Sequence, residues 1–187
     1  MSNIDEFKAN LIGGGARANQ FRVTITPPSG ITIGLVTRRT SFLVKAAALP
    51  TRAITEIPLK FRGRTIYLAG DAAEPEAWET TFYNDTDFMI KNAIENWSNG
   101  MNEFAEATGV VAPSDYQTDL MVEQMDRDSN VLKKYILRNC WPTNSGSAIP
   151  LDMSSESAVE EFSVSWRYQH FEASDVQAAL SLTGGED

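Results

Sequence analysis

Residues 158–172, AVEEFSVSWRYQHFE, carry the cleanest alternation in the chain and constrain its fold more than any other stretch. Phe162, Val164, Trp166 and Tyr168 fall on one side; Glu161, Ser163, Ser165, Arg167 and Gln169 fall on the other. Successive strand side chains point to opposite faces, so this is a strand with one buried and one wet face. Upstream, residues 131–141 read as its partner strand, which stops at Pro142 because proline cannot donate to a ladder. Between them, TNSGS at 143–147 is a turn cluster. Two long strands joined this way form a β-core that the remaining segments must cover.

The other segments supply mostly strands. The chain opens with a short helix over Asn3 to Leu11 and a hinge at Gly13 to Gly15. Gln20 to Thr26 reads as the first strand, stopped by Pro27 and Pro28. A short strand over Ile31 to Val36 and a long one over Thr40 to Ala47 are expected next. Ile54 to Phe61 and Arg64 to Ala69 form a hairpin, with Pro58 marking a sheet edge or bulge. Gly70 and Asp71 turn the chain, and Ala77 to Tyr83 adds another strand. One strong helix, about 86–99, has Ile90, Ala93, Ile94 and Trp97 at helical spacing, N-cap oxygens over 84–87 and a closing Gly100. After a loop over 101–114, Tyr116 to Met125 reads as a strand, with a turn at 127–130 leading into the core strands. The expected architecture is mainly β: a small sandwich or barrel of about seven to nine strands with one packed helix. Three segments follow: an N-terminal arm (1–19), a β-domain (20–172) and an acidic tail (173–187) that is mobile or a docking arm. At 187 residues the chain is long enough for one self-sufficient core.

Charge is distributed unevenly. Residues 22–64 hold eight cations (Arg22, Arg38, Arg39, Lys45, Arg52, Lys60, Arg62, Arg64) against Glu56 alone, a local charge of +7. The rest carries −16, giving −9 overall. A partition this large reads as an interaction device. Basic surface meeting acidic surface suits head-to-tail contacts between copies, with the cationic hairpin tip Lys60, Arg62 and Arg64, and also Arg38 and Arg39, as candidate contacts. A solvated basic face and a nucleic-acid-binding domain are the alternatives; the acidic remainder and the lack of a reader motif weigh against the second.

Catalytic and metal chemistry find little support. With one cysteine, Cys140, and one histidine, His170, there is no disulfide, no Cys/His cluster and no nucleophile–base pair. His170 shares the parity of Trp166 and Tyr168 and reads as structural. Glu160 and Glu161 are neighbours on a strand and face opposite ways. Asp126 and Asp128 are half a calcium loop, lacking its glycine and distal glutamate. The triple glycine has no following Lys-Ser/Thr to make a phosphate loop. No cofactor and no enzymatic activity are expected. No secretion signal or membrane anchor is read, so folding in a cytoplasm is expected and the sequons at Asn84 and Asn96 are chance matches.

The strand and turn sequences nevertheless resemble a known family. CWPTNSG at 140–146, LDM at 151–153 and EEFSVSWRYQHFE at 160–172 look like the C-terminal half of contractile-phage tail tube proteins of the T4 type. Upstream, in the same order, stand ANQFRVTIT (18–26), VKAAALP (44–50) and LAGDAAEPEAWETTFYND (68–85). The resemblance implies hexameric rings stacked into a hollow tube, with subunit sheets joined into one inner barrel. The partners it implies are a sheath, a tape-measure protein, a baseplate initiator and a tail terminator, with double-stranded DNA passing through without specific binding. The virion is the implied location, after assembly in the bacterial cytoplasm. A tube of a related contractile injection or type VI secretion system remains the alternative. Within such a tube, an acidic wall would keep DNA from sticking, and Glu79, Glu123 and Glu161, each on a polar strand face, are the lumen candidates. Residues 27–40, the acidic tail and residues 72–76 depart from the family's shorter pattern and bear on local contacts between rings.

Overall fold

The computed structural model describes residues 4–11, 15–154 and 158–175. The expected mainly β architecture is what it shows, with nine strands among these residues. In chain order they are α1 (Ile4–Asn10), β1 (Phe21–Ile25), α2 (Thr37–Leu43), β2 (Val44–Ala47), β3 (Ile54–Phe61), β4 (Arg64–Ala72), β5 (Trp78–Tyr83), α3 (Met89–Met101), α4 (Pro113–Tyr116), β6 (Thr118–Met125), β7 (Val131–Pro142), β8 (Glu161–Arg167) and β9 (His170–Asp175). Seven strands make one antiparallel sheet in the order β1-β6-β7-β8-β5-β2, with β9 also paired to β7; β3 and β4 pair only with each other. The triple glycine from position 13, and the acidic tail beyond 175, fall outside the described residues except for Gly15.

Long β7 splits the sheet into two halves. Its N-terminal part lies between β6 and β9, whereas its last residues, Trp141 and Pro142, pair with Arg167 and Trp166 of β8. Asn139, with a positive φ of 55°, marks the bend, a backbone conformation that asparagine tolerates better than most residues. The two strands read as partners therefore meet only at this end: β8 pairs along its length with β5, and most of β7 with β6 and β9. The clean alternating strand is also two strands. It breaks at Tyr168 and Gln169, where the Gln169 N–H donates to the Arg138 carbonyl, and then crosses to the other half of the sheet.

The inner faces of both halves meet in one core, closed by α3. Val23, Leu120, Val122 and Leu137 face Phe82, Phe162, Val164 and Trp166 across it, with Ile90, Ala93, Ile94 and Trp97 from the helix. The stripe expected at 90, 93, 94 and 97 is thus the buried face of α3, and Phe162, Val164, Trp166 and Tyr168 are all buried as expected. At the centre the indoles of Trp97 and Trp166 meet edge-on at 5.5 Å, a favoured aromatic geometry. Each also satisfies its polar atom: Trp97 Nε1–H donates to the Tyr116 carbonyl and Trp166 Nε1–H to Thr80 Oγ1, both at 2.8 Å. A buried donor left unmet would cost free energy, so these partners fix both rings.

Several local expectations are corrected. Residues 31–36 form no strand; Ile31 and Ile33 are buried in the core from an extended segment without ladder pairing. The strand expected over 40–47 starts at Val44, because residues 37–43 form α2. There Thr40 and Ser41 hydroxyls donate to the carbonyls four residues back, an arrangement open to helices and not to strands. Gly70 and Asp71 are no turn but part of β4, which runs to Ala72. Helix α3 starts at Met89 after Phe88 at φ 52°, with Asp87 Oδ1 accepting the Met89 N–H at 3.2 Å. It also runs through Gly100 to Met101; a Cβ at Gly100 would lie 2.6 Å from Ile31, so the position is needed for close packing and not for ending the helix.

Candidate assembly surfaces

The β3–β4 hairpin stands away from the core, and every residue of β3 is exposed. Cross-strand partners share a face, so the register Ile57↔Leu68, Leu59↔Ile66 and Phe61↔Arg64 gathers five large apolar side chains on one side. Those five are 45–59% exposed. Pro58 sits opposite Tyr67 and is tolerated because a two-stranded ribbon has only edges. Arg62 and Gly63 form the two-residue tip with φ of 46° and 78°, both positive as a tight primed hairpin turn requires. Glycine accepts this freely and arginine does not, so the tip holds Arg62 in a costly conformation. Lys60, Arg62 and Arg64 make no ion pair among the described residues, and Arg62 lies only over the neighbouring Phe61 ring at 5.3 Å.

At the base of this hairpin lies a cleft that the sequence did not announce. Residues 48–53, 72–79 and 168–171 line it. Its floor is apolar, with Pro50, Trp78 and Tyr168 buried and Phe171 half-buried. Trp78 is held by its Nε1–H donating to the Ala48 carbonyl at 2.6 Å. Glu74, Glu76 and Glu79 stand exposed around it, against Arg52 as the single Arg or Lys of the lining. Burial pushes the Tyr168 hydroxyl above its ordinary pKa, which keeps it neutral beside the acids. The acidic and apolar string at 73–79 is the one sequence signal for this cleft; its other walls lie too far along the chain to be read together.

The basic block does not form one basic surface. Arg39 reaches back to Asp85 and Asp87 at the start of α3, which lowers the Asp85 pKa and raises that of Arg39. Lys45 holds Glu161 at 2.6 Å, a contact that raises its own pKa. Arg22 lies 3.8 Å from Glu123, whose side chain is only 10% exposed. Arg38 is exposed and makes no ion pair among the described residues. Dispersal of these cations into internal pairs weakens the nucleic-acid reading of the block.

The three glutamates at 79, 123 and 161 do not share a wall. Glu79 and Glu161 lie on the outer face of β5 and β8, where Glu79 accepts from Ser165 Oγ at 3.2 Å. Glu123 lies on the outer face of the other half, in register with Arg22 and Lys134. On that same face Arg138 is clamped between Asp119 at 2.5 Å and Glu172 at 2.8 Å, and sequence reasoning missed this cluster because its members sit on three strands. The clamp keeps the guanidinium charged and holds the Glu172 carboxyl below the usual carboxylate range.

Enzymatic geometry does not emerge from the candidate groups. Cys140 is buried and its thiol is pushed up to about 12 by desolvation, which leaves it unreactive at neutral pH. His170 is exposed and lies 3.9 Å from Glu172. Asp126 accepts from the backbone N–H of Asp128 and Asn130, the pattern of a turn rather than an ion loop. Among the described residues no cluster of three potential metal ligands occurs, and no helix is long and apolar enough to cross a membrane.

Known proteins place these surfaces in context. A family model described as phage tail tube protein matches residues 16–174. The tail tube protein of Serratia phage KSP90 is 31% identical over 170 residues, covering 90% of this chain and 95% of that protein. Tail tube protein gp19 of Enterobacteria phage T4 is 30% identical over 170 residues, covering 90% of this chain and 98% of its own. In shape, the chain resembles a subunit of the anti-feeding prophage tube terminating cap (TM-score 0.60, 15% identity, 86% of this chain and 91% of that one). It also resembles one from the anti-feeding prophage baseplate (TM-score 0.57, 14% identity, 87% and 97%). With a family match spanning nearly the whole described β-domain and two full-length relatives at about a third identity, the chain belongs to the phage tail tube protein family.

Proposed function

We propose that this chain builds the inner tube of a contractile phage tail: six copies close into a ring, and rings stack into the conduit through which double-stranded DNA leaves the virion. The observation that carries this reading, beyond family membership, is the uncovered apolar face of β3–β4. A two-stranded ribbon is marginal alone in water, so a surface of this kind calls for a neighbour. Strand β9 adds a second reason. It pairs with β7 on one side only among the described residues, leaving an edge that can extend the sheet of an adjacent copy into a shared barrel. Sheath, tape-measure protein, baseplate initiator and tail terminator are the partners of such a tube, assembled in the bacterial cytoplasm.

The lumen wall falls to the outer face of β1, β6, β7 and β9. There each arginine is already occupied by carboxylates: Arg22 by Glu123, and Arg138 by Asp119 and Glu172. A cation so engaged offers little to a passing phosphate, which would otherwise hold it by ion pairing and counterion release. This reading keeps Glu123 in the wall and gives Glu79 and Glu161 to the other surface. A phage tube is favoured over an injection-system tube because the relatives near a third identity are phage proteins, whereas the injection-system structures share only the fold. Negative-stain electron microscopy of the purified protein at high concentration tests the proposal. Six-fold rings and hollow tubes are expected; monomers at every concentration would overturn it.

A further inference from the structure

We infer that the cationic tip of the β3–β4 hairpin docks into the acid-rimmed cleft at the hairpin base of a second copy, so that this one contact repeats along the tube. The inference rests on the tube reading above and names the acids that meet the tip. Both halves of the contact are complementary in kind. The tip offers Phe61 with Lys60, Arg62 and Arg64; the cleft offers an apolar floor of Pro50, Trp78, Tyr168 and Phe171 inside Glu74, Glu76 and Glu79. Apolar surface meets apolar surface and unpaired cations meet exposed carboxylates, the combination that gives an interface both affinity and register.

Geometry makes the occupant another copy. Strand β3 is eight residues long and begins at Ile54, directly after the cleft residues 48–53. An extended strand of that length spans roughly 26 Å. The hairpin is pinned at its root, where the Ala73 N–H donates to the Ala53 carbonyl at 2.9 Å and Thr55 Oγ1 donates to the Asp71 carbonyl at 2.8 Å. The tip therefore stands a full strand length from its own cleft and cannot fold back into it. A contact between two different surfaces of identical copies is heterologous, and where its operator does not close into a ring it repeats along an axis. The weak Arg167–Glu74 approach, 3.9 Å to a carboxylate side chain 91% exposed, leaves Glu74 available to an incoming cation.

Charge reversal and cross-linking test the contact. Arg62→Glu with Arg64→Glu is expected to abolish tubes, and so is Glu74→Lys with Glu76→Lys, while each subunit melts at the wild-type temperature. All four substitutions in one chain restore the attraction with its sign inverted, and tubes are expected to return. Separately, Arg62→Cys with Glu76→Cys should give, on oxidation of assembled tubes, a ladder of covalent oligomers on a non-reducing gel; buried Cys140 should not contribute. Tubes of wild-type length from the Arg62/Arg64 variant, or a folded four-fold variant that stays unassembled, would overturn the docking. So would the lack of a ladder from tubes that formed. Failure of the wild-type protein itself to form tubes sinks the tube reading instead, which keeps the two outcomes apart.

Discussion

Strands β8 and β3 carry the same kind of pattern and meet opposite fates. In β8, Phe162, Val164 and Trp166 alternate with polar residues and are 0–1% exposed. In β3, Ile57, Leu59 and Phe61 alternate just as regularly and are 45–59% exposed. Alternation specifies a strand with one apolar face; it does not say whose surface covers that face. For β8 the cover is α3 and the opposite half-sheet of the same chain. For β3 no part of the described chain supplies it. The same pattern that closes one strand into a core leaves the other with an open apolar face, the one proposed above to meet a neighbouring copy.

If this contrast is sound, the two strands should separate cleanly in mutational cost. Trp166→Ala removes the central indole, its edge-on contact with Trp97 and its hydrogen bond to Thr80. A fully buried large aromatic lost in this way should destabilise the subunit by about 3–5 kcal/mol. Thermal or urea unfolding of the unassembled protein measures it, and a loss below about 1 kcal/mol would place Trp166 outside the core's critical packing. The next effect is smaller and tests the polar atom alone. Thr80→Val keeps the volume nearly constant but leaves the Trp166 indole N–H without its acceptor at 2.8 Å. About 1–3 kcal/mol should be lost, the cost of a buried donor left unmet. A neutral outcome would show that another acceptor or a water substitutes for the hydroxyl.

Legibility followed the same division. The buried faces of β8 and α3 were readable because their periodicities are internal to a short window. The partnerships of β7 were not, since strand pairing depends on residues distant in sequence; alternation alone cannot tell that β7 pairs along most of its length with β6 and β9 and meets β8 only at Trp141 and Pro142. Arg39 and Arg22 looked free in the sequence because Asp85, Asp87 and Glu123 come much later in the chain. Residues 40–43 looked like strand because β-branched and aromatic residues stand there; the back-bonding hydroxyls of Thr40 and Ser41, and the anchoring of Arg39, favour the helix. The tip cations were legible as a local charge cluster. Their complementary cleft was not, because three separate connections build it.

The smallest expected effect on the subunit is also the sharpest test of the contrast. Leu59→Ser with Phe61→Ser replaces two apolar residues of β3 that are 47% and 59% exposed. Neither is among the described core residues or the side chains packed against them, so the folded subunit should lose no more than about 0.5 kcal/mol, the range of ordinary surface changes. Serine also keeps the backbone donors, so the β3–β4 ladder remains possible. Assembly should respond quite differently. The apolar face is what a neighbouring copy would cover, and removing its centre takes away a driving force proportional to the area buried. Calorimetry and electron microscopy on the same preparation decide the matter: an unchanged melting temperature with tubes lost supports the division between core and assembly surface. A melting temperature that falls as far as that of Trp166→Ala would mean that β3 belongs to the subunit's own stability. An unchanged melting temperature with normal tubes would mean that its apolar face is left to water even in the assembled tail.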